Sequence, residues 1–217
     1  MSDSDSDPPT LPPDTLAILQ EFYKENDLKK EKLLEAQHGT THVEDLQLNE
    51  DWQLSQFWYD DRTATRLAEE AVSIAGLQGR IACLCSPTAY KKIRVLKPES
   101  CTSICFEYDE RFGVYGSDFV FYDYKEPLKL PQEMKQSFDV VIADPPFLSE
   151  ECLLKTAQTI RFLAKDKVVL CTGAVMEELA YRLLSVKPCI FVPTHTSGLQ
   201  NKFSCYCNYD SQLLSLE

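Results

Sequence analysis

The residues best suited to chemistry in this 217-residue chain are Asp144-Pro145-Pro146-Phe147, directly after the apolar run Phe138-Asp139-Val140-Val141-Ile142-Ala143. Proline lacks the ladder N–H and fixes φ, so a buried strand must leave its sheet at this point. An acid, rigid carbonyls and an aromatic face are thereby exposed together. The Asp carboxylate and a proline carbonyl can accept both hydrogens of an amine, while the ring packs against the nitrogen's substituent or stacks on a base. Other acids stand at strand ends elsewhere: Glu107 at the end of one with Asp109 just after it, and Asp123 after another. Gln56-Phe57-Trp58-Tyr59 sets three aromatics in a row, which cannot all enter one core, so at least one lines a pocket. His38, His42 and His195 have no ligand partner at metal spacing, and no metal is expected.

Alternating strand and helix patterns must hold these residues. Apolar residues at 64, 67, 68, 71, 72 and 75 mark one face of a helix stopping near Gly76. Strands are expected at 80–85, 102–108, 119–122, 138–143 and 167–171, with helices over 87–96, 149–164 and 174–186. Several strands are almost wholly apolar, as in a parallel sheet covered on both faces. Residues 190–193 and 203–209 have only a loop between them and should pair antiparallel. Two segments are expected: 1–46, an acidic disordered lead-in with a short amphipathic helix from Asp14, and a catalytic domain over 47–217.

Composition narrows the class. No run reaches the roughly 18–20 apolar residues that cross a bilayer, and the acidic start is unlike a leader, so a cytoplasmic protein is expected. The formal charge of -12, from 34 acids and 22 bases, opposes nucleic acid and favours a basic partner. Nine cysteines include no Cys-x-x-Cys; the pairs 83/85 and 205/207 should each lie on one face of a strand as small hydrophobes.

With these elements in place, the chain resembles the class I S-adenosylmethionine-dependent methyltransferases over about residues 47–210. The resemblance implies a Rossmann-like α/β domain with a seven-stranded, mostly parallel sheet whose last strand is antiparallel. Asp144-Pro145-Pro146-Phe147 matches the Asp/Asn-Pro-Pro-aromatic signature of amine methyltransferases at the end of strand four. The stretches 51–59, 106–112 and 203–210 further resemble the eukaryotic lysine methyltransferase family of translation elongation factor 1-alpha, formerly labelled N6-adenine-specific DNA methyltransferase-like. That likeness implies S-adenosylmethionine as cofactor and elongation factor 1-alpha as protein substrate; a monomer is expected.

By the resemblance, Asp144, Pro145, Pro146 and Phe147 are catalytic, and Glu107 bridges the cofactor's ribose hydroxyls with Asp109 as fallback. Asp123 faces the adenine, Ser86 lines the methionine portion, and Phe57 and Trp58 close over the cofactor or the entering amine. The pattern departs at one place: the loop expected to be glycine-rich after strand one reads Ser86-Pro87-Thr88-Ala89-Tyr90, with no glycine between Arg80 and Phe112. A positive φ there costs more, or the loop takes another path. The motif alone equally allows an N6-adenine methyltransferase on DNA or RNA, which needs a basic track and room for a flipped base. Only Lys29-Lys30 and Lys91-Lys92 form basic clusters here. A catalytically silent scaffold is the third possibility, favoured only by the altered loop.

Overall fold

A computed structural model of the chain describes residues 56–198 and 201–216, together with 20, 21, 24, 27, 28 and 50. The chain divides into two units, Met1–Gln47 and Leu48–Glu217. In the first, Gln20, Glu21, Lys24, Asp27 and Leu28 are helical. The lead-in over 1–13, the start of the amphipathic helix, and His38 and His42 lie outside the described residues.

In the second unit the chain runs α1 (Asp61–Ala75), β1 (Arg80–Leu84), α2 (Pro87–Leu96), β2 (Thr102–Glu107), β3 (Phe119–Phe121) and β4 (Phe138–Ala143). It continues through α3 (Glu150–Leu163), β5 (Ala164–Gly173), α4 (Glu177–Leu184), β6 (Lys187–Pro188) and β7 (Phe203–Cys207). The sheet has the order β3-β2-β1-β4-β5-β7-β6. Neighbours from β3 to β5 pair in parallel, and β7 pairs antiparallel with both β5 and β6.

The two-residue period of each strand divides the core into two layers. Ile81, Cys83, Cys105, Ile142, Val169, Cys171 and Cys205 pack with Leu67, Ala68 and Ala71 of α1 and Tyr90 and Ile93 of α2. Ala82, Leu84, Phe106, Val141, Leu170 and Tyr206 face the other way, onto Leu153, Ala157 and Ile160 of α3 and Ala180 of α4. Burying a side chain such as Leu67 contributes about 1.5–3 kcal/mol, so the apolar stripe fixes which face of α1 meets the sheet. Asp60 caps that helix, its Oδ1 accepting from Thr63 N–H at 2.8 Å.

Gly79, between α1 and β1, needs its missing side chain: a Cβ there would lie 2.1 Å from the Ala75 carbonyl oxygen. Backbone cannot yield as a flexible side chain can. Gly79→Ala is expected to lower the unfolding free energy by about 2–3 kcal/mol, read by urea titration; an unchanged midpoint would contradict this packing.

Several sequence expectations change. Two of the links between parallel strands carry no α-helix: 3₁₀ turns at Glu110–Asp118 and Gln132–Met134 stand there instead. Pro127 and Pro131 remove backbone donors from the second link, where single turns such as Glu126 N–H to Asp123 C=O suffice. Residues 190–193 join no ladder; β6 is Lys187–Pro188, paired with Cys207 and Tyr206. Phe191 N–H is taken by Leu214 C=O, Pro193 has no donor, and Ile190 and Val192 are exposed. The helix expected over 174–186 opens as a 3₁₀ turn and stops at Ser185, whose φ is 56°. Cys83 and Cys85 lie in opposite layers, not on one face, because the strand ends at Leu84 and the chain reverses its twist.

Candidate active site

The reversal occurs at Cys85, whose φ is 53°. A left-handed turn therefore follows β1 without glycine, at a cost of roughly 1–2 kcal/mol for an L-residue. It delivers Ser86 to the start of α2. Backbone hydrogen bonds tie the neighbouring strand ends together: Cys85 N–H donates to Phe106 C=O at 2.8 Å and Asp144 N–H to Leu84 C=O at 3.0 Å. Ser86 Oγ lies 3.4 Å from the Ile142 carbonyl. The carboxyl ends of β1, β2 and β4 are thus one rigid rim, and the ends of open parallel strands are where ligands bind in such sheets.

Two cavities adjoin across that rim, sharing Cys85, Glu107 and Pro146. The smaller, about 60 Å³, is lined by Gln56, Phe57, Trp58, Tyr59, Ser86, Pro87, Thr88, Asp144, Pro145, His195 and Phe203 as well. The larger, about 210 Å³, adds Tyr108, Tyr122, Asp123, Tyr124, Lys125 and Phe147. Of the residues singled out by sequence, Ser86, Glu107, Asp144, Pro145, Pro146, Phe57 and Trp58 meet around the smaller space. Asp123 and Phe147 stand in the larger, where the half-exposed Phe147 ring packs 5.6 Å from Tyr124. Phe147 therefore faces the larger space and Trp58 the smaller.

Asp109 lines neither cavity. Its carboxylate accepts from Gln56 Nε2 at 2.8 Å and from Arg111 Nη2 at 2.7 Å. Burial pushes its pKa up, but these bonds prevail and hold it below the usual carboxylate range. Asp109 thus fastens the Gln56 segment to the end of β2. Asp123 has one oxygen engaged in its own turn, accepting from Lys125 N–H at 2.8 Å.

Glu107 and Asp144 are different. Burial lifts Glu107 to about 7 against the pull of hydrogen bonds from Tyr108 and Asp109 N–H groups. Burial also lifts Asp144 to about 7, with the negative charge of Glu107 adding to the effect and the Tyr59 hydroxyl opposing it. No Lys or Arg lines the smaller cavity among the described residues. Two desolvated acids in a space that no cation lines fit a positively charged guest, such as a sulfonium. Trp58 Nε1 is buried without a hydrogen-bond partner, and the Ser86 side chain leaves the first amides of α2 uncapped, so donors remain for a ligand carboxylate. Lys91 Nζ lies 4.7 Å from the Trp58 ring centre, holding it from behind.

Sequence reasoning attached no role to Cys85, Tyr59 individually, or His195. Only a missing glycine pointed to Cys85. Tyr59 and His195 meet through a backbone bridge, with ring centres 5.1 Å apart. Asn208 and Tyr206 of the last strand region are structural: Asn208 Oδ1 accepts from Val168 N–H at 2.9 Å, and Tyr206 is core.

The sheet order with its antiparallel β7 is that of the class I S-adenosylmethionine-dependent methyltransferase fold, and the acid-lined cleft lies at its strand ends. A branched-chain polyamine synthase variant from Thermus thermophilus shares the fold at a TM-score of 0.55 and 12% identity, over 82% of this chain and 62% of that one. Residues 50–211 match the family described as probable N6-adenine methyltransferase, and the chain belongs to that family. Its relatives include EEF1A lysine methyltransferase 1 of Mus musculus, 52% identical over 98% of both chains, and that of Homo sapiens, 51% identical over the same shares. The Caenorhabditis elegans protein-lysine N-methyltransferase M142.8 is 46% identical over 97% of this chain and 98% of its own.

Proposed function

We propose that the chain is a protein-lysine N-methyltransferase acting on a lysine of translation elongation factor 1-alpha. The observation that carries this reading is the 52% identity to EEF1A lysine methyltransferase 1 over 98% of both chains, which takes in the loops around the cleft as well as the core. S-adenosylmethionine, when bound, supplies an electrophilic methyl on a sulfonium. Glu107 holds the ribose hydroxyls, Asp123 and the aromatic residues of the larger cavity receive the adenine, and Ser86 with the start of α2 receives the methionine end. Phe57 and Trp58 close the smaller cavity and exclude water.

Asp144 accepts a hydrogen bond from the lysine nitrogen, and the Pro145 and Pro146 backbone fixes the line of approach. A lysine of pKa near 10.4 is neutral about once in 10³ at neutral pH. An apolar wall raises that fraction, whereas the Asp144 carboxylate lowers it, so Asp144 serves to align the free amine and to stabilise the charge that develops on it. Phe147 guards the adenine side, packed on Tyr124. Asp109 acts indirectly, through Gln56. The reading includes a cytoplasmic location, where translation proceeds, and action as a monomer.

The test is incubation with methyl-labelled cofactor and, separately, elongation factor 1-alpha, bulk cell protein, and DNA and RNA oligonucleotides. Label on a lysine of the elongation factor is the expected result; label on adenine, or none on that factor, overturns the reading.

A further inference from the structure

Five buried side-chain atoms among the described residues have no hydrogen-bond partner: Trp58 Nε1, Tyr59 Oη, Tyr90 Oη, Ser103 Oγ and Tyr206 Oη. Buried hydroxyls are normally paired, so each orphan marks either a defect or a function. Tyr90, Ser103 and Tyr206 line neither cavity. Tyr59 does line the smaller one, on the same wall as Asp144. Its Oη is near enough to feel the charge of both the Asp144 carboxylate and the Cys171 thiol, yet it closes no hydrogen bond of normal geometry to either.

The ring cannot wander. Residues 58–60 run as a short antiparallel bridge against 194–196: Asp60 N–H donates to Thr194 C=O at 3.1 Å and Thr196 N–H to Trp58 C=O at 2.9 Å. The Tyr59 ring is 4% exposed and packs on His195, which in turn packs on Phe203 at 4.9 Å. Asp60, the next residue, caps α1, so both sides of Tyr59 are anchored. A phenol fixed in this way can shift only slightly, and a small approach by the neighbouring Asp144 carboxylate, which lines the same cavity at the end of β4, is enough to give its hydroxyl an acceptor.

We propose that Tyr59 is a positioning residue: its buried hydroxyl donates to one oxygen of Asp144, leaving the other oxygen aimed at the incoming amine. The proposal rests on the lysine methyltransferase reading above and adds a residue to its machinery. A carboxylate with one oxygen held has a fixed direction for its remaining lone pairs, which is what alignment of a nitrogen with a sulfonium requires. The same bond favours the ionised acid against the burial and the Glu107 charge that disfavour it. The titratable groups facing Asp144 are Glu107 from β2, Cys85 after β1, Cys152 from α3 and Tyr59 itself; Cys171 of β5 faces Tyr59, and His195 lines the same cavity. His195 is held toward its neutral form by burial, so a phenol is the better placed neutral donor.

Tyr59→Phe tests this, since it keeps the ring and removes only the oxygen. Cofactor affinity by calorimetry should stay within about twofold. Turnover on elongation factor 1-alpha at pH 7 should fall about tenfold, and the acid limb of turnover against pH should move upward by about one unit, because Asp144 has lost a donor to its charged form. Added to Asp144→Ala, the change should cost nothing more. A pH profile superimposable on that of the parent, or fully additive losses, would overturn the role of Tyr59. Absence of transfer by the parent protein would instead overturn the lysine reading. If Tyr59→Phe fails to fold, 3-fluorotyrosine placed at position 59, a stronger donor, should move the acid limb downward, and an unmoved limb refutes the proposal.

Discussion

Asp144→Ala is expected to lower turnover by roughly 10²–10³-fold, the usual loss when one preorganised polar group is removed from a closed site. Cofactor affinity and the fold should be retained. The side chain makes no contact that holds the sheet together; the strand end is held by its backbone N–H on Leu84 C=O, which the substitution keeps. Single-turnover transfer to elongation factor 1-alpha, with calorimetry of the cofactor alongside, separates the two effects. Unchanged turnover would remove Asp144 from the chemistry.

The same residue makes a statement about stability. Its folded pKa of about 7 lies above its reference value of 3.8, so the folded state binds more protons than the unfolded one in between. The contribution of Asp144 is therefore fully present below about pH 4 and is lost as pH rises through 7. Asp144→Asn escapes that loss. Its unfolding free energy should exceed the parent's by about 4 kcal/mol at pH 8 and match it near pH 4. Asp60, Asp109 and Asp139 work in the opposite sense: burial raises each, but their hydrogen bonds prevail and hold them low, so they protect the fold above about pH 4 and fail below it. Comparing parent and variant by urea titration at each pH cancels those terms. A difference that does not grow between pH 5 and 8 would contradict the burial of Asp144.

Glu107→Gln carries the second large effect. A carboxylate between two ribose hydroxyls makes two charge-assisted bonds, each worth about 1.5–3 kcal/mol, and the amide retains one neutral bond at best. The dissociation constant of S-adenosylmethionine should rise about 10²-fold, a loss of about 3 kcal/mol. The fold should survive, because Gln can still accept from Tyr108 N–H, bonded at 3.0 Å in the parent. Since Glu107 titrates near 7, parent affinity should fall as pH drops below that value, while the variant should bind with little pH dependence. Equal affinities at pH 8 would point to a different acid, but Asp109 is a poor substitute with its oxygens committed to Arg111 and Gln56.

Much of the candidate site could be read locally. Asp144 was visible because two prolines forbid a strand to continue, and Glu107 because an apolar run ends on it. Residues whose roles depend on distant partners were not visible in that way. Asp109 looked like a second ribose acid until Gln56, 53 positions away, was found on its carboxylate. Phe147 looked like a wall for the amine, yet Tyr124 draws its ring toward the larger cavity. The sixth strand moved to Lys187–Pro188 because Leu214, far along the chain, takes the Phe191 amide. Local pattern carries no information about such competition.

The sequence by itself determined the alternation of strands and helices, which face of each is apolar, and where an acid must leave the sheet, because these follow from side-chain periodicity and from proline's missing donor. Tertiary structure alone decided that Cys85 takes the left-handed turn in place of a glycine, that Tyr59 stands beside Asp144, and that both acids titrate near neutrality. Those features arise from burial and from neighbours brought together across 20 to 85 positions of chain, and desolvation belongs to the assembled cleft, not to any one residue.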